Sequence, residues 1–166
     1  MRFPSAHEQV HGQRTRRNIL WKKFHLYDDC MFDIDMGTKL DRSKMKTVHP
    51  SINFVGRANI NNGITTCVDE INTVKPYPSG YMTLALDGEY LGSCFIQPEP
   101  FYTSQNVIVL IPNEKMTDNI KRFIATMIFK ESRSKYKAFV DELNCHIKTD
   151  FSIYLPITST GPSSSV

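Results

Sequence analysis

Ile96-Gln97-Pro98-Glu99-Pro100-Phe101-Tyr102-Thr103-Ser104-Gln105-Asn106-Val107-Ile108-Val109-Leu110 sets two prolines and an aromatic pair directly before an unbroken apolar run. Proline fixes its own φ and lacks a backbone donor, so the first half reads as an irregular, stiffened aromatic turn. Val107 to Ile111, apolar and rich in β-branched residues, reads as a buried strand. A second diagnostic stretch lies upstream, Gly56-Arg57-Ala58-Asn59-Ile60-Asn61-Asn62-Gly63. It is a polar loop ending in a turn signature, because Asn and Gly tolerate the positive φ that most residues avoid.

Working outward, Ile52-Asn53-Phe54-Val55 and Ile64 to Val68 flank that loop as strands. Tyr81 to Leu86 alternates as another before the Asp87-Gly88 turn, and Leu91 to Ile96 leads into the aromatic turn. Mixed apolar spacing from Trp21 to Ile34 fits a strand or turn followed by a strand, ended by Gly37. Helix signals begin only after Pro112. Ile120, Phe123, Ile124, Met127 and Ile128 fall on one helical face, with Thr117 or Asp118 capping the start. A second, shorter helix is expected over Lys135–Leu143, then a last strand, Ser152–Leu155, stopped by Pro156. The expected fold class is α+β: a single domain over 19–157 with curved mixed or antiparallel β-structure and a few helices. Residues 1–18, polar and basic, read as a flexible arm, and the Ser/Thr/Gly/Pro-rich 158–166 as a disordered tail.

A chain of 166 residues is enough for one core without disulfides or metals. Its 20 basic and 17 acidic residues leave a net charge of +3, so whole-molecule charge does not single out a nucleic-acid partner. Cys30, Cys67, Cys94 and Cys145 show no C-x-x-C pair and no zinc-site spacing, and read as free thiols in a reducing compartment. Cys145-His146 is too small a pair for a metal site, so no metal is expected. Met1 to Arg17 has no apolar core and so is neither a secretory signal nor a membrane span; a cytoplasmic location is the expectation.

Enzyme classes fall away by their missing parts. A base methyltransferase needs a glycine-rich turn for its methyl donor and an Asn or Asp followed by two prolines and an aromatic; neither occurs. Gly92-Ser93-Cys94 lacks the nucleophile elbow, and there is no P-loop or dinucleotide fingerprint. Asp33 and Asp35, two apart on one strand face, are the nearest approach to a metal-dependent nuclease, but they lack a spaced partner carboxylate and lysine. A solvated strand face is the ordinary alternative, and no catalytic residue is assigned.

Binding signals are stronger. Lys39, Arg42, Lys44 and Lys46 precede Arg57 with only Asp41 in opposition, a cluster suited to neutralising phosphates without sequence choice. Sequence choice needs groups for base edges, and Arg suits guanine while Asn suits adenine. Arg57, Asn59, Asn61 and Asn62 supply both types and are the candidate base readers. Tyr102, Ser104 and Gln105 are further candidates for contact. The plain alternatives are a solvated charged loop, a simple turn at Asn61-Asn62-Gly63, and core positions for Phe101 and Tyr102. In the basic arm, Arg14, Arg16, Arg17, Lys22 and Lys23 suit phosphate tracking or mere solubility.

The order of these motifs adds to them. Trp21-Lys22-Lys23-Phe24, Phe32-Asp33-Ile34, Gly37-Thr38-Lys39-Leu40, Phe54-Val55-Gly56-Arg57, Asn61-Asn62-Gly63, Gly88 to Gly92, Phe95 to Tyr102 and Ile153-Tyr154-Leu155-Pro156-Ile157 follow one another along the chain. That succession resembles one target recognition domain of the specificity (S) subunits of type I restriction-modification systems, and of S-like partners of type II enzymes. The resemblance implies a non-catalytic domain that recognises a double-stranded DNA sequence and directs a methyltransferase and endonuclease complex to it. Its implied partners are DNA and the modification (methyltransferase) and restriction subunits. It implies no cofactor here, S-adenosylmethionine being held only by the methyltransferase partner, which turns out the target base, usually adenine.

Two departures stand out. The chain has one such domain and no long heptad helices, so it reads as an isolated domain, a truncated product, or a half-subunit pairing with a second recognition domain or another copy of itself. At Lys135 to Asn144 it also lacks the Tyr-Gly-Arg-like turn of many relatives, so no contact is carried over there. The rival expectation is a protein-interaction module whose Phe101-Tyr102 turn and late helix dock a partner subunit without reading DNA.

Overall fold

The protein was analysed as a computed structural model, which describes residues 19–27 and 31–157; the arm over 1–18, the tail over 158–166 and Cys30 lie outside the described residues. In chain order the strands are β1 (Leu20–His25), β2 (Phe32–Asp35), β3 (Ile52–Val55), β4 (Ile64–Val68) and β5 (Met82–Ala85), then β6 (Cys94–Ile96), β7 (Phe101–Thr103), β8 (Val107–Pro112) and β9 (Ser152–Ile157). The α-helix among the described residues is α1 (Asp118–Lys135), and short 3-10 turns lie at Arg42–Lys44, Asn61–Gly63 and Leu143–Cys145.

β8 explains the architecture. It sits inside an antiparallel four-stranded sheet of order β2-β8-β5-β6, and its residues Val107 to Leu110 are wholly buried. Ile108 and Leu110 turn to one core with Leu84, Met82 and the helix residues Ile124 and Ile128, while Val107 and Val109 turn to another with Val55 and Phe101. A strand between two apolar layers has no polar face to show, which is why its sequence does not alternate.

The second layer is a three-stranded sheet of order β4-β3-β7. β3 and β4 form the antiparallel hairpin expected around the Asn loop, and β7 lies parallel to β3 with Phe54 opposite Tyr102. Phe101-Tyr102-Thr103 is therefore a buried strand rather than an irregular turn. Pro98 and Pro100 stand just before it, where their missing donors break no ladder.

Helix α1 starts as expected, with Thr117 Oγ1 accepting a hydrogen bond from Ile120 N at 3.4 Å. Its buried stripe is narrower than the sequence suggests: Ile124, Ile128 and Ser132 are buried, whereas Ile120 and Phe123 remain 49% and 41% exposed. Burial of each isoleucine contributes about 2 kcal/mol. The expected second helix does not form. Tyr136 is already extended, and Lys137 and Asp141 close a tight turn through a reciprocal pair of backbone hydrogen bonds, both 2.9 Å. β9 pairs antiparallel with β1 and runs through Pro156, opposite Trp21, instead of stopping there; a two-stranded ribbon leaves an edge on which proline is tolerated. Among the described residues no helix is long and apolar enough to cross a membrane.

Candidate nucleic-acid interface

The β3–β4 loop is built on three successive left-handed residues: Asn61 at φ 49°, Asn62 at φ 53° and Gly63 at φ 77°. Asn and Gly are the residues that adopt this region at least cost, so local sequence dictates the turn. Gly56 N donates to Gly63 O at 2.8 Å and closes the loop at its base, and Asn61 Nδ2 donates to Ile64 O at 3.1 Å. The loop is then latched to the four-stranded sheet. Ser93 Oγ donates to Asn59 Oδ1 at 3.0 Å, and the fully buried Gln97 donates through Nε2 to Asn62 O at 2.9 Å and to Thr83 Oγ1 at 2.8 Å. Asn62 keeps its side-chain amide out of any hydrogen bond among the described residues and is exposed.

Arg57 is held from a different turn. Its Nη1 donates to Asp87 Oδ1 at 2.5 Å, and Asp87 Oδ2 accepts from Asn106 Nδ2. Asp87 is 7% exposed, while the arginine side chain is about half-exposed. Beside this triad, Glu142 Oε1 accepts from Gly88 N and from Phe139 N, each at 3.0 Å. Those two backbone donors, helped by the charge of Arg57, hold the Glu142 carboxyl below its ordinary pKa. The β3–β4, β5–β6 and β7–β8 turns and the 137–142 turn thus converge on one end of the domain. Asp87, Asn106 and Glu142 were not singled out from the sequence; the only signal was Asp87-Gly88 as a turn.

The cations take another surface. Thr38 Oγ1 accepts from Thr103 N at 2.8 Å and donates to Thr103 O at 2.9 Å, and Leu40 N donates to the same carbonyl. From there the segment crosses the outer face of the three-stranded sheet, packing Leu40 and Met45 on Ile52, Phe54, Val68 and Tyr102. It ends where Asp69 N donates to Lys46 O at 2.9 Å. Lys39, Arg42, Lys44 and Lys46 are all exposed. Lys39 lies at the Val55 end of the hairpin, near the Asn loop, and Lys46 at the far end, roughly 10 Å away for a strand of that length. The base-reading candidates are gathered at one tip, and the four cations are strung along the flank that leads to it.

An open groove of about 670 Å³ separates the Asn loop from α1. Asn59 and Asn62 form part of one wall, and Arg122, Thr126 and Phe129 of α1 part of the other. The helix therefore brings to the groove a cation, Arg122, paired at 3.9 Å with Asp118.

Residues 18–160 match the family described as Type I restriction modification DNA specificity domain. The chain belongs to that family. The specificity domain is also similar in fold to solved structures. A type I restriction-modification system S subunit from M. genitalium aligns at TM-score 0.53 and 16% identity over 82% of this chain and 34% of that one. The HsdS subunit from Thermoanaerobacter tengcongensis aligns at TM-score 0.56 and 14% identity over 82% and 33%. A chain solved for the complex assembly and conformational transition of the type I R-M system aligns at TM-score 0.59 and 15% identity over 82% and 34%. The specificity domain spans about a third of the length of those chains. No curated protein sequence matches it significantly.

Within the specificity domain, Tyr102 leaves the set of DNA-contact candidates. It is wholly buried, and its hydroxyl donates to Val74 O at 2.7 Å and accepts from Ile71 N at 3.1 Å. Phe101 is equally buried, so the Phe101-Tyr102 pair offers no face to a partner subunit. Ser104 is half-buried and Gln105 exposed on the β7–β8 turn, adjacent to the Asn106 that binds Asp87. Asp35 is committed to structure: its Oδ1 accepts from Tyr77 OH at 2.6 Å and Gly37 N at 2.9 Å, and burial, then this carboxylate, push the Tyr77 phenol pKa up. Lys22 and Lys23, assigned to the arm, are part of β1. His146 is held by Asp141 at Nε2 and Asp150 at Nδ1, both 2.8 Å, rather than paired with Cys145. Among the described residues no group of three or more His, Cys, Asp or Glu is placed to hold a metal ion.

Proposed function

We propose that this specificity domain reads a short base sequence in double-stranded DNA and so directs a restriction-modification complex to its site. One observation carries the reading. Arg57, Asn59 and Asn62 meet at a single tip and are anchored from behind, the first two through their side chains by Asp87 and Ser93 and the third through its backbone carbonyl by Gln97. Anchored donors and acceptors lose little freedom on binding, which favours discrimination between base edges over loose attraction. Arg57 would address guanine, and Asn62, with its uncommitted amide, adenine. Asn59 and Asn61 would set the loop's shape and add contacts. Gln105 and Ser104 stand on the neighbouring turn, and Arg122 on the far wall of the groove. Lys39, Arg42, Lys44 and Lys46 would bind phosphates and give the sequence-independent part of the affinity.

The domain itself would be non-catalytic and without cofactor. A methyltransferase partner would bring S-adenosylmethionine and turn out the target base, and restriction subunits would cut. The exposed Ile120 and Phe123 of α1 suit a protein neighbour, and a second recognition domain or another copy of the chain would read the other half of a split site, in the cytoplasm. Selection of bound duplexes from a random pool, at stated salt, tests the reading. Enrichment of a consensus of a few bases is expected; retention of DNA with no enriched sequence would reduce the surface to phosphate binding.

A further inference from the structure

Lys137-Ala138-Phe139-Val140-Asp141 closes one of the converging turns with an arrangement that turn-making does not require. Phe139 sits at φ 62°, a region costly for a bulky side chain, and is 80% exposed; its neighbour Val140 is 73% exposed. Asn or Gly would close the same turn without strain or bare apolar surface. The conformation is fixed from several sides. Glu142 accepts the Phe139 amide, Lys137 and Asp141 bind each other through their backbones, and His146 holds the Asp141 carboxylate at 2.8 Å. The oxygen of Glu142 that takes the Phe139 amide also takes Gly88 N, next to the Asp87 that holds Arg57. The apolar tip and the arginine therefore belong to one fixed cluster. Lys137, exposed beside the tip, makes no ion pair among the described residues.

Two apolar side chains are far too little surface for a stable protein interface, but they match the gap opened between two base pairs when an apolar residue wedges a duplex. Lys137 beside the tip, with no ion pair of its own among the described residues, suits a polyanion, and Arg57 stays paired with Asp87. We propose that Phe139, assisted by Val140, enters a base step of the DNA as an apolar wedge and unstacks it beside the bases that Arg57 addresses. This rests on the DNA-reading function proposed above and adds to it how that function deforms its substrate.

The test uses the full chain and two labelled mixed-sequence duplexes, one intact and one carrying a single abasic site, with fluorescence anisotropy at low salt. A wedge enters a gap without unstacking anything, so the native protein should prefer the abasic duplex by roughly tenfold. Phe139→Gly relieves the backbone strain, so it should melt no lower than the native chain while losing that preference. Equal binding of both duplexes by the native chain, or a preference kept by Phe139→Gly, overturns the wedge and leaves DNA reading in place. Binding of neither duplex removes both.

Discussion

Arg57 Nη1 lies 2.5 Å from Asp87 Oδ1, across two turns that the sequence separates by two whole strands, β4 and β5, and the segment between them. The nearly buried carboxylate also accepts from Asn106, so it fixes the arginine and the β7–β8 turn together. Asp87→Asn should therefore loosen both. A loss of about 1–2 kcal/mol in urea denaturation is expected, at the lower end for a charged hydrogen bond because Arg57 is half-exposed to water. Discrimination between the selected and a random duplex should fall as well; unchanged discrimination would mean that Arg57 reads nothing.

Arg57→Ala and Lys44→Ala should separate the two kinds of contact. The first is expected to cost about 1–3 kcal/mol on the selected sequence and to relax one position of the consensus. The second should weaken all sequences alike and reduce the slope of log affinity against log salt by roughly one unit. Titrations of both variants on cognate and random DNA decide the matter.

Asn62 is left-handed at φ 53° and presents an exposed amide, so its backbone and side-chain roles can be split. Asn62→Ala should lose about 1 kcal/mol of stability and the amide contact together, whereas Asn62→Gly should keep the stability and lose only the contact. If Asn62→Gly bound the selected duplex as tightly as the native chain, the amide would have no reading role.

Gly37, at φ 77°, begins the segment that carries the exposed cations Lys39, Arg42, Lys44 and Lys46. A Cβ there would overlap Thr103 Oγ1 and the Val107 carbonyl oxygen, the latter fixed inside β8. Gly37→Ala is expected to cost about 3 kcal/mol or more through combined backbone strain and overpacking. Thermal unfolding monitored by circular dichroism would show it.

His146 supplies a pH signature. Hydrogen bonds that the ring donates to Asp141 and then to Asp150 raise its pKa above 6.5 in the folded chain. Folding thus binds a proton more tightly, and the stabilisation is complete below about pH 6.5 and fades as pH rises through the elevated folded value. The same contact lowers the Asp150 pKa, through the His146 hydrogen bond first, so its contribution is present above about pH 3.8 and is lost as pH falls through the lowered folded value. Denaturation midpoints should therefore decline on the alkaline side in the native chain and not in His146→Gln.

What could be read in advance was what neighbours in sequence decide. β8 announced itself because both its faces are apolar, and α1 because Thr117 caps a periodic stripe. β7 did not, since its partner is β3, far back in the chain, and prolines beside aromatics look like a turn in isolation. The helix expected over Lys135–Leu143 failed because Tyr136 leaves helical geometry and packs its ring, tilted, against His146 and Phe151. For the candidate site, residue type and turn chemistry marked Arg57 and the asparagines as one loop, and the structure keeps them together at one tip. The groups that immobilise them, Asp87, Ser93 and Gln97, come from other turns and strands, and Tyr102 was misjudged because its hydroxyl partners lie in the segment Ile71–Val74.

Leu20 and Ile157 face each other as the terminal pair of the β1–β9 ribbon, with Cα atoms about 5 Å apart. Any polypeptide attached at the two margins of the domain leaves from neighbouring points, like a lamp hung on one cord. A cut at those points would let the entire domain be transplanted into another host chain, its converging turns untouched, and, on the function proposed above, a host fitted with a different domain would acquire a different address on DNA.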